Sequence, residues 1–325
     1  MENEKRRYFP LSFNGEGARY FGIWVVNIIL TILTLGLYYP WAKVANRKYI
    51  WNSTSIGDDR FIFHGTGKEI FKGFVIAYLI VLMPIVFLVL STSSFYISEM
   101  EQGSVLLFIG IFFFIYLLLP PVAIFGAWRY RVSRTSWRGI YFSFNGRLRD
   151  FILLYFVQFF FVIVTFGIYF PWFKVRIMQF LFSHTKFGQY ELDFEGDGSD
   201  LFVINLLGGI LSVITLYIYF PWFLKNRFKF TIDNTVIYHG DKKSYLRTNL
   251  DGGDLFGTLL LNAILTFVTL GLATPWAIMR NYKLFLESVH LPTEVDLDAL
   301  EQNVDDFDDA TGDSLVDIMD VGLDF

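Results

Sequence analysis

Apolar residues gather along this chain into six runs, approximately residues 21 to 41, 71 to 90, 104 to 126, 151 to 172, 201 to 222 and 255 to 276. About 20 apolar residues in helical form match a hydrocarbon core of roughly 30 Å, so the pattern predicts about six transmembrane helices. In the connections the period shortens to two. Thr54-Ser-Ile-Gly57 to Phe63, Thr135-Ser-Trp-Arg-Gly139 to Phe144 and Thr185-Lys-Phe-Gly188 to Phe194 each alternate around a glycine, and Asn234 to Gly240 forms a degraded fourth copy. These stretches predict short β-hairpins at a membrane surface.

Four of the six runs close on one phrase: Thr34-Leu-Gly-Leu-Tyr-Tyr-Pro40-Trp41, Thr165-Phe-Gly-Ile-Tyr-Phe-Pro171-Trp172, Thr215-Leu-Tyr-Ile-Tyr-Phe-Pro221-Trp222 and Thr269-Leu-Gly-Leu-Ala-Thr-Pro275-Trp276. Self-similarity of this kind marks a multiplied structural unit. A glycine turn precedes the helices as Phe13-Asn-Gly15, Phe63-His-Gly65, Phe144-Asn-Gly146, Phe194-Glu-Gly196 and, more loosely, Leu250-Asp-Gly252. The second and third runs lack the phrase and read as a divergent insertion. Within the phrase, proline presses on the carbonyl four residues back, and that residue is Gly36, Gly167, Tyr217 or Gly271. A helix that ends near the glycine, followed by an amphipathic helix opening at the proline, accommodates both residues. The threonine can return its hydroxyl to the backbone. Tyr38, Tyr39, Trp41, Tyr169, Trp172, Tyr219 and Trp222 are expected to form an aromatic belt at headgroup level, with Trp276 as the anchor of the last copy. An unwound segment that binds substrate is the competing reading.

Composition points the same way: 54% hydrophobic residues, 20% aromatic residues and a mean hydropathy of +0.45 exceed those of an ordinary soluble domain. The absence of cysteine rules out disulfides, iron–sulfur clusters and thiol catalysis. The polar, basic start carries no cleavable signal, so the first helix is expected to act as an uncleaved insertion signal. Residues 292 to 325 contain twelve Asp or Glu and no Lys or Arg. They read as a disordered acidic tail that solvates the protein or docks on a partner or on its own basic loops. The basic remainder suits anionic lipid headgroups. Seventeen Lys or Arg follow the first, third and fifth runs, against nine at the N-terminus, after the fourth run and at the C-terminus, which places the odd-numbered loops in the cytoplasm. Basic residues after each Pro-Trp (Lys43, Lys174, Arg176, Lys225, Arg227, Arg280) ask instead for one common side, which strict alternation of spans forbids.

Asn27, Gln158 and Asn262 each lie 13 residues before their proline, and Asn205 lies 16 before. Interhelical hydrogen bonding accounts for amides at such depth, and lining of a polar pathway is the sharper alternative. No charged residue falls mid-span, which argues against a proton-coupled pump. The four histidines, His64, His184, His239 and His290, lack zinc-type spacing. There is no phosphate loop, nucleophile elbow or paired-histidine metalloprotease motif. Glu191, Asp193, Glu195, Asp197 and Asp200 read as a solvated strand face, with a cation site as the alternative. No catalytic residue, cofactor, metal site or nucleic-acid surface is assigned.

Asn27 to Lys43 (NIILTILTLGLYYPWAK), the following Arg47-Lys48-Tyr49, the Phe-x-Gly turns and the acidic end Asp317-Ile-Met-Asp-Val-Gly-Leu resemble the YjgN family, bacterial inner-membrane proteins grouped under a domain of unknown function. The resemblance implies a multi-pass inner-membrane protein and carries no activity or site residues. The expected architecture is therefore an α-helical integral membrane protein, with about six transmembrane helices, surface hairpins and internal repeats. It comprises a membrane domain over 1–291 and the acidic tail over 292–325. The leading functional expectation is non-enzymatic transport or gating of a small solute or lipid. In that scheme adjacent repeats of opposite orientation surround Gln158, Asn205 and Asn262. The alternative is a lipid-organising scaffold whose tail recruits a protein.

Overall fold

The computed structural model describes residues 8–76, 78–79, 102–292, 295 and 300, with the side chains of Tyr8, 102–109 and 111–115 outside the description. Its strands are β1 (Tyr8–Phe13), β2 (Thr54–Ile56), β3 (Asp59–Phe63), β4 (Thr135–Trp137), β5 (Ile140–Phe144), β6 (Thr185–Phe187), β7 (Tyr190–Phe194), β8 (Thr235–His239), β9 (Lys242–Tyr245), β10 (Arg247–Thr248) and β11 (Val289–Pro292). Its helices are α1 (Gly17–Leu33), α2 (Tyr39–Asn52), α3 (described over 67–76), α4 (Gln102–Ser133), α5 (Leu148–Val164), α6 (Phe170–Ser183), α7 (Gly198–Ile214), α8 (Phe220–Asp233), α9 (Gly252–Val268) and α10 (Thr274–Glu287).

These elements form five copies of one β-α-α-β unit. In each copy the strand entering the helices pairs with the strand leaving them, at Phe13 with Thr54, Phe63 with Thr135, Phe144 with Thr185, Phe194 with Thr235 and Thr248 with Val289. The next residue repeats one backbone bond at every mouth: Asn14 to Ser53, His64 to Arg134, Asn145 to His184, Glu195 to Asn234 and Asn249 to Ser288, at 2.8 to 3.1 Å. In four units the outgoing helix has 17 residues and the returning helix 14. The second and third apolar runs are thus no insertion. They supply α3 and α4 of the second unit, closed by the same strand pair.

All pairings are antiparallel, in the order β10-β11-β1-β2-β3-β4-β5-β6-β7-β8-β9. The two edges, β9 and β10, are separated in sequence by Leu246 alone, so they lie within about 8 Å of each other and the sheet is a nearly closed barrel. A single apolar cluster confirms the curvature. It joins Leu11, Ile56, Phe61, Trp137, Phe187 and Leu192 from six strands, which a flat sheet with strands about 4.8 Å apart could not bring together. Trp137 is fully buried there. Gly57, Gly139, Gly188 and Gly240 turn the hairpins between units with φ of 54° to 78°.

The helices form a second ring on one side of the barrel. Four outgoing helices pack between the returning helices of their own and the preceding unit: α1 against α2 and α10, α5 against α6 and α4, α7 against α8 and α6, α9 against α10 and α8. The Pro-Trp indole fastens these junctions. A Cβ at Gly67, Gly198, Gly252 or Gly17 would come within 2.5 Å of Trp41, Trp172, Trp222 or Trp276 respectively, so each tryptophan lies directly on the backbone that opens the next unit. The contact of Trp276 with Gly17, with β1 pairing β11, joins the last unit to the first.

This architecture corrects the expectation of about six transmembrane helices. Among the described residues no helix is long and apolar enough to cross a membrane. The reason is the phrase itself. Each apolar run ends its helix at Leu33, Val164, Ile214 or Val268, turns, and continues into a returning helix, so a count of consecutive apolar residues passes through the turn. The predicted span over 71 to 90 and the connection after it lie mostly outside the described residues, and 104 to 126 falls within α4. Alternating orientation is corrected too, because every unit leaves and re-enters the barrel on the same side. The indoles expected in a headgroup belt pack between units, and the hairpins expected on a membrane surface are staves of one barrel.

Adding a methyl group at Gly17 forces the Trp276 indole away and should destabilise the protein by about 1–3 kcal/mol. Gly22, on the same helix, has open space at its Cβ position, and Gly22→Ala should stabilise by up to about 1 kcal/mol through helix propensity. Melting temperatures of the two purified variants check the pair. An equal response at both sites would remove the indole from this role.

Candidate functional site

A cavity of about 600 Å³ lies among α1, α2, α4 and α10, lined mainly by the returning helices of the first, second and fifth units. Helix α2 supplies Lys43, Asn46 and Arg47, α4 supplies Arg131, and α10 supplies Asn281 and Tyr282, with Tyr20 and Tyr39 adding hydroxyls. Lys43 and Arg47 stand one turn apart on α2 and are buried. The Arg47 guanidinium lies 5.9 Å from the centre of the Phe63 ring. Arg131 donates from Nε to the Ala127 carbonyl at 3.2 Å and stands 5.6 Å from the Trp128 ring. Among the described residues the charged lining of this chamber is wholly basic. A second cavity of about 410 Å³ shares Ile50, Trp51, Arg131 and Tyr282 with it and runs into the barrel between Leu11, Phe61 and Phe142. The two spaces form a cationic compartment in the helical ring continuous with an apolar one in the barrel.

The four amides are not brought together. Asn27 donates to the Ala42 carbonyl at 3.3 Å and to Asn46 Oδ1 at 3.0 Å. Asn262 repeats this with the Ala277 carbonyl and Asn281 Oδ1 at 3.3 and 2.8 Å, and accepts from Arg280 at 2.9 Å. Both therefore hold a chamber-lining asparagine from behind. Gln158 accepts the Tyr169 hydroxyl at 2.8 Å in the third unit. In the fourth unit the equivalent place is Gly208, filled by the Phe223 ring. Asn205, three residues earlier, buries an Oδ1 with no hydrogen-bond partner.

The helix-end residues build four protruding tips. Thr34, Thr165, Thr215 and Thr269 each donate to the carbonyl four residues back at 2.7 Å and accept the backbone N–H four residues ahead at 2.9 to 3.0 Å. Gly36, Gly167, Tyr217 and Gly271 return N–H to the carbonyl five residues earlier at 2.6 to 2.8 Å, the longer bond of a Schellman cap. Gly36, Gly167 and Gly271 hold φ near 90°, whereas Tyr217 is held at 67°. The residue before each, Leu35, Phe166, Leu216 or Leu270, sits at φ of 50° to 52°, a left-handed conformation that costs an L-residue about 1–2 kcal/mol. These four side chains are 83, 97, 86 and 93% exposed. Pro40, Pro171, Pro221 and Pro275 open the returning helices, and all four tips point the same way. The outgoing helices expose apolar faces as well, among them Ile32, Phe160, Ile214 and Phe267.

The other candidates are engaged structurally. Glu195 accepts from Lys243 at 2.6 Å, Tyr238 at 2.9 Å and Tyr245 at 3.0 Å. These bonds, that from Lys243 foremost, hold its carboxyl below the usual range and raise the Lys243 ammonium. Glu191 pairs with Lys186, and Asp197 caps α7 through Ser199. His64 bonds Ser136 Oγ at 2.8 Å, and burial, with Lys48 and Arg134 nearby, lowers its basicity. No metal-binding cluster occurs among the described residues.

The fold and the chamber define a ring protein of repeated β-α-α-β units, with a cationic interior and an apolar helical exterior. The chain belongs to DUF898, a family of bacterial proteins of unknown function, whose model matches residues 8–194 and 235–318. The interval it passes over coincides with the hairpin of α7 and α8. The chain is 30% identical over 139 residues to the inner membrane protein YjgN of Salmonella typhimurium, a match covering 43% of this chain and 32% of that protein. It is 32% identical over 143 residues to the protein of the same name in Escherichia coli K12, with the same shares covered. The match thus spans about a third of the length of these relatives. No solved structure matches the chain.

Asn262→Leu removes the donor to Asn281 and the acceptor of Arg280, and should cost about 1–3 kcal/mol. Asn205→Leu removes an unpartnered acceptor and should be neutral or stabilising. Chemical denaturation of the two variants tests the contrast. A loss at Asn205 as large as that at Asn262 would show that its Oδ1 is bonded.

Proposed function

We propose that this protein is a non-enzymatic, membrane-seated anion chamber. In this reading the helical ring enters the bacterial inner membrane from one face, and the central cavity binds and gates a small phosphate-class anion, either free or as a lipid headgroup. The observation that carries the reading is the burial of Lys43 and Arg47, with Arg131, around one cavity inside a ring whose outside is apolar. Cations at such depth are costly and mark functional sites by default. Guanidinium and ammonium donors match the oxygens of a phosphate.

Membrane seating is supported by the tips and outgoing helices. Contiguous exposed apolar surface of this extent marks an interaction face, and the relatives carry the name inner membrane protein. A 17-residue helix extends about 26 Å, short of a hydrocarbon core of roughly 30 Å. The hairpins would therefore dip into the bilayer and return to the barrel. Each tip side chain contributes about 1.5–3 kcal/mol on leaving water.

Titration of the purified protein with inorganic phosphate, and native mass spectrometry after reconstitution with and without phosphatidylglycerol, separate the two sources of the anion. Lys43→Gln with Arg47→Gln should weaken phosphate binding or lipid retention at least tenfold, given about 1.5–3 kcal/mol for each charge-assisted bond. Changing Leu35, Phe166, Leu216 and Leu270 to Asp should release the protein from vesicles in sedimentation. Vesicle binding without any phosphate or headgroup retention would favour a lipid-organising scaffold over the chamber.

A further inference from the structure

We infer that the acidic segment over residues 301 to 325 occupies the basic chamber of its own chain as a competing polyanion. Three observations converge on this occupant. Beyond β11, Val295 is buried, and Leu300 packs against the barrel cluster around Ile56, Trp137 and Phe187. From there the route to the chamber is continuous, because Leu11, Phe61 and Phe142 belong both to the cluster carrying Leu300 and to the apolar cavity, which in turn shares Arg131 and Tyr282 with the basic one. The 25 residues after Leu300 can reach about 80 Å when extended.

The chemistry of the segment fits both compartments in sequence. It contains nine carboxylates and no Lys or Arg, against a chamber whose charged lining among the described residues is basic. Asp305, Asp306, Asp308 and Asp309 come first, interrupted by Phe307, and Leu315, Val316, Ile318 and Met319 follow among further carboxylates. A chain of alternating acidic and apolar residues offers carboxylates to Lys43, Arg47 and Arg131 and side chains to the apolar walls. A solvating tail requires no such apolar content. Carboxylate and phosphate oxygens would then compete for the same donors, and the chamber would bind external anions only in the fraction of molecules whose segment has left it.

The docking stands on this geometry, and only its regulatory consequence rests on the proposed anion chamber. The chain is free of cysteine, so Ser314→Cys provides a single label site in the full-length protein. Maleimide labelling of this variant is compared with the same variant also carrying Asp305→Asn, Asp306→Asn, Asp308→Asn and Asp309→Asn. A segment docked in nine molecules of ten should label about tenfold more slowly in the acidic parent, at a rate independent of protein concentration. Deletion of 301–325 should tighten inorganic phosphate binding by the same factor. Equal labelling, protection that grows with protein concentration and so assigns the site to a second copy, or equal phosphate affinity with and without the segment would each overturn the proposal. Slow labelling with no phosphate binding in either chain would leave the docked segment standing and remove the anion chamber reading instead.

Discussion

Closure of the ring is the constraint on which the rest of the structure depends. A β-α-α-β unit of about 50 residues cannot bury its own apolar faces: its two strands have open edges, and its outgoing helix leaves one side uncovered. Both deficits are met only by a neighbour. The tryptophan of one unit lies on the glycine that opens the next, an approach that any Cβ at Gly17, Gly67, Gly198 or Gly252 would block. The same junction sets strand pairing above and helix packing below, so neither ring can close without the other. The first and last units then meet through Trp276 on Gly17 and β1 on β11, which makes the longest-range contacts in sequence the ones that complete the barrel.

Repetition supplies the scaffold, and departures from it supply the chamber. Position by position the returning helices are equivalent, yet only α2 carries Lys, Asn and Arg at 43, 46 and 47 together. Asn27 and Asn262 support Asn46 and Asn281 from the outgoing helices in the first and fifth units, the two flanking the closure. In the fourth unit the corresponding amide is Gly208 and the space is taken by Phe223. The asparagine pairs are therefore confined to the units flanking the closure, and the third and fourth units combine aromatic packing such as Tyr155 on Phe173 and Phe194 on Phe230 with Lys174, the counterpart of Lys43, whose basicity burial and the nearby Arg227 lower.

The local chemistry of the unit was legible in the sequence because turns are decided by neighbouring residues. The glycines at 57, 139 and 188, the threonine bonds at the helix ends and the prolines opening the returning helices all follow from short-range sterics. The path of the chain between those points was not legible. Apolar runs of about 20 residues fit a single membrane span as well as a helix, a turn and the start of another, and hydropathy does not distinguish them. The deciding observation is the equivalence of all the strand pairs, which is long-range. For the same reason Lys43 and Arg47 read as loop charges: their burial comes from α4 and α10, distant in sequence, and periodicity within α2 does not reveal it. The second unit was hidden because α3 and α4 lack the Pro-Trp phrase and keep only the strands and the Phe63-His-Gly65 turn.

The tips show how the fold accepts local cost for outward display. A left-handed leucine or phenylalanine is unfavourable by about 1–2 kcal/mol, and a solvent-exposed one gains nothing from packing, so four such residues at equivalent places need a cause outside the isolated chain. The bonds of Thr34, Thr165, Thr215 and Thr269 to both flanking helices hold the turn rigidly enough to keep the strained residue in place. Strain that persists because the surroundings over-determine it is characteristic of contact sites. A bilayer would return the cost by burying each side chain at about 1.5–3 kcal/mol. The ring thus separates two demands that a simple bundle of spans would combine. Its apolar surface is turned to the outside and the tips, while its buried cations are kept on the inner helices, where the barrel and the neighbouring units separate them from that surface.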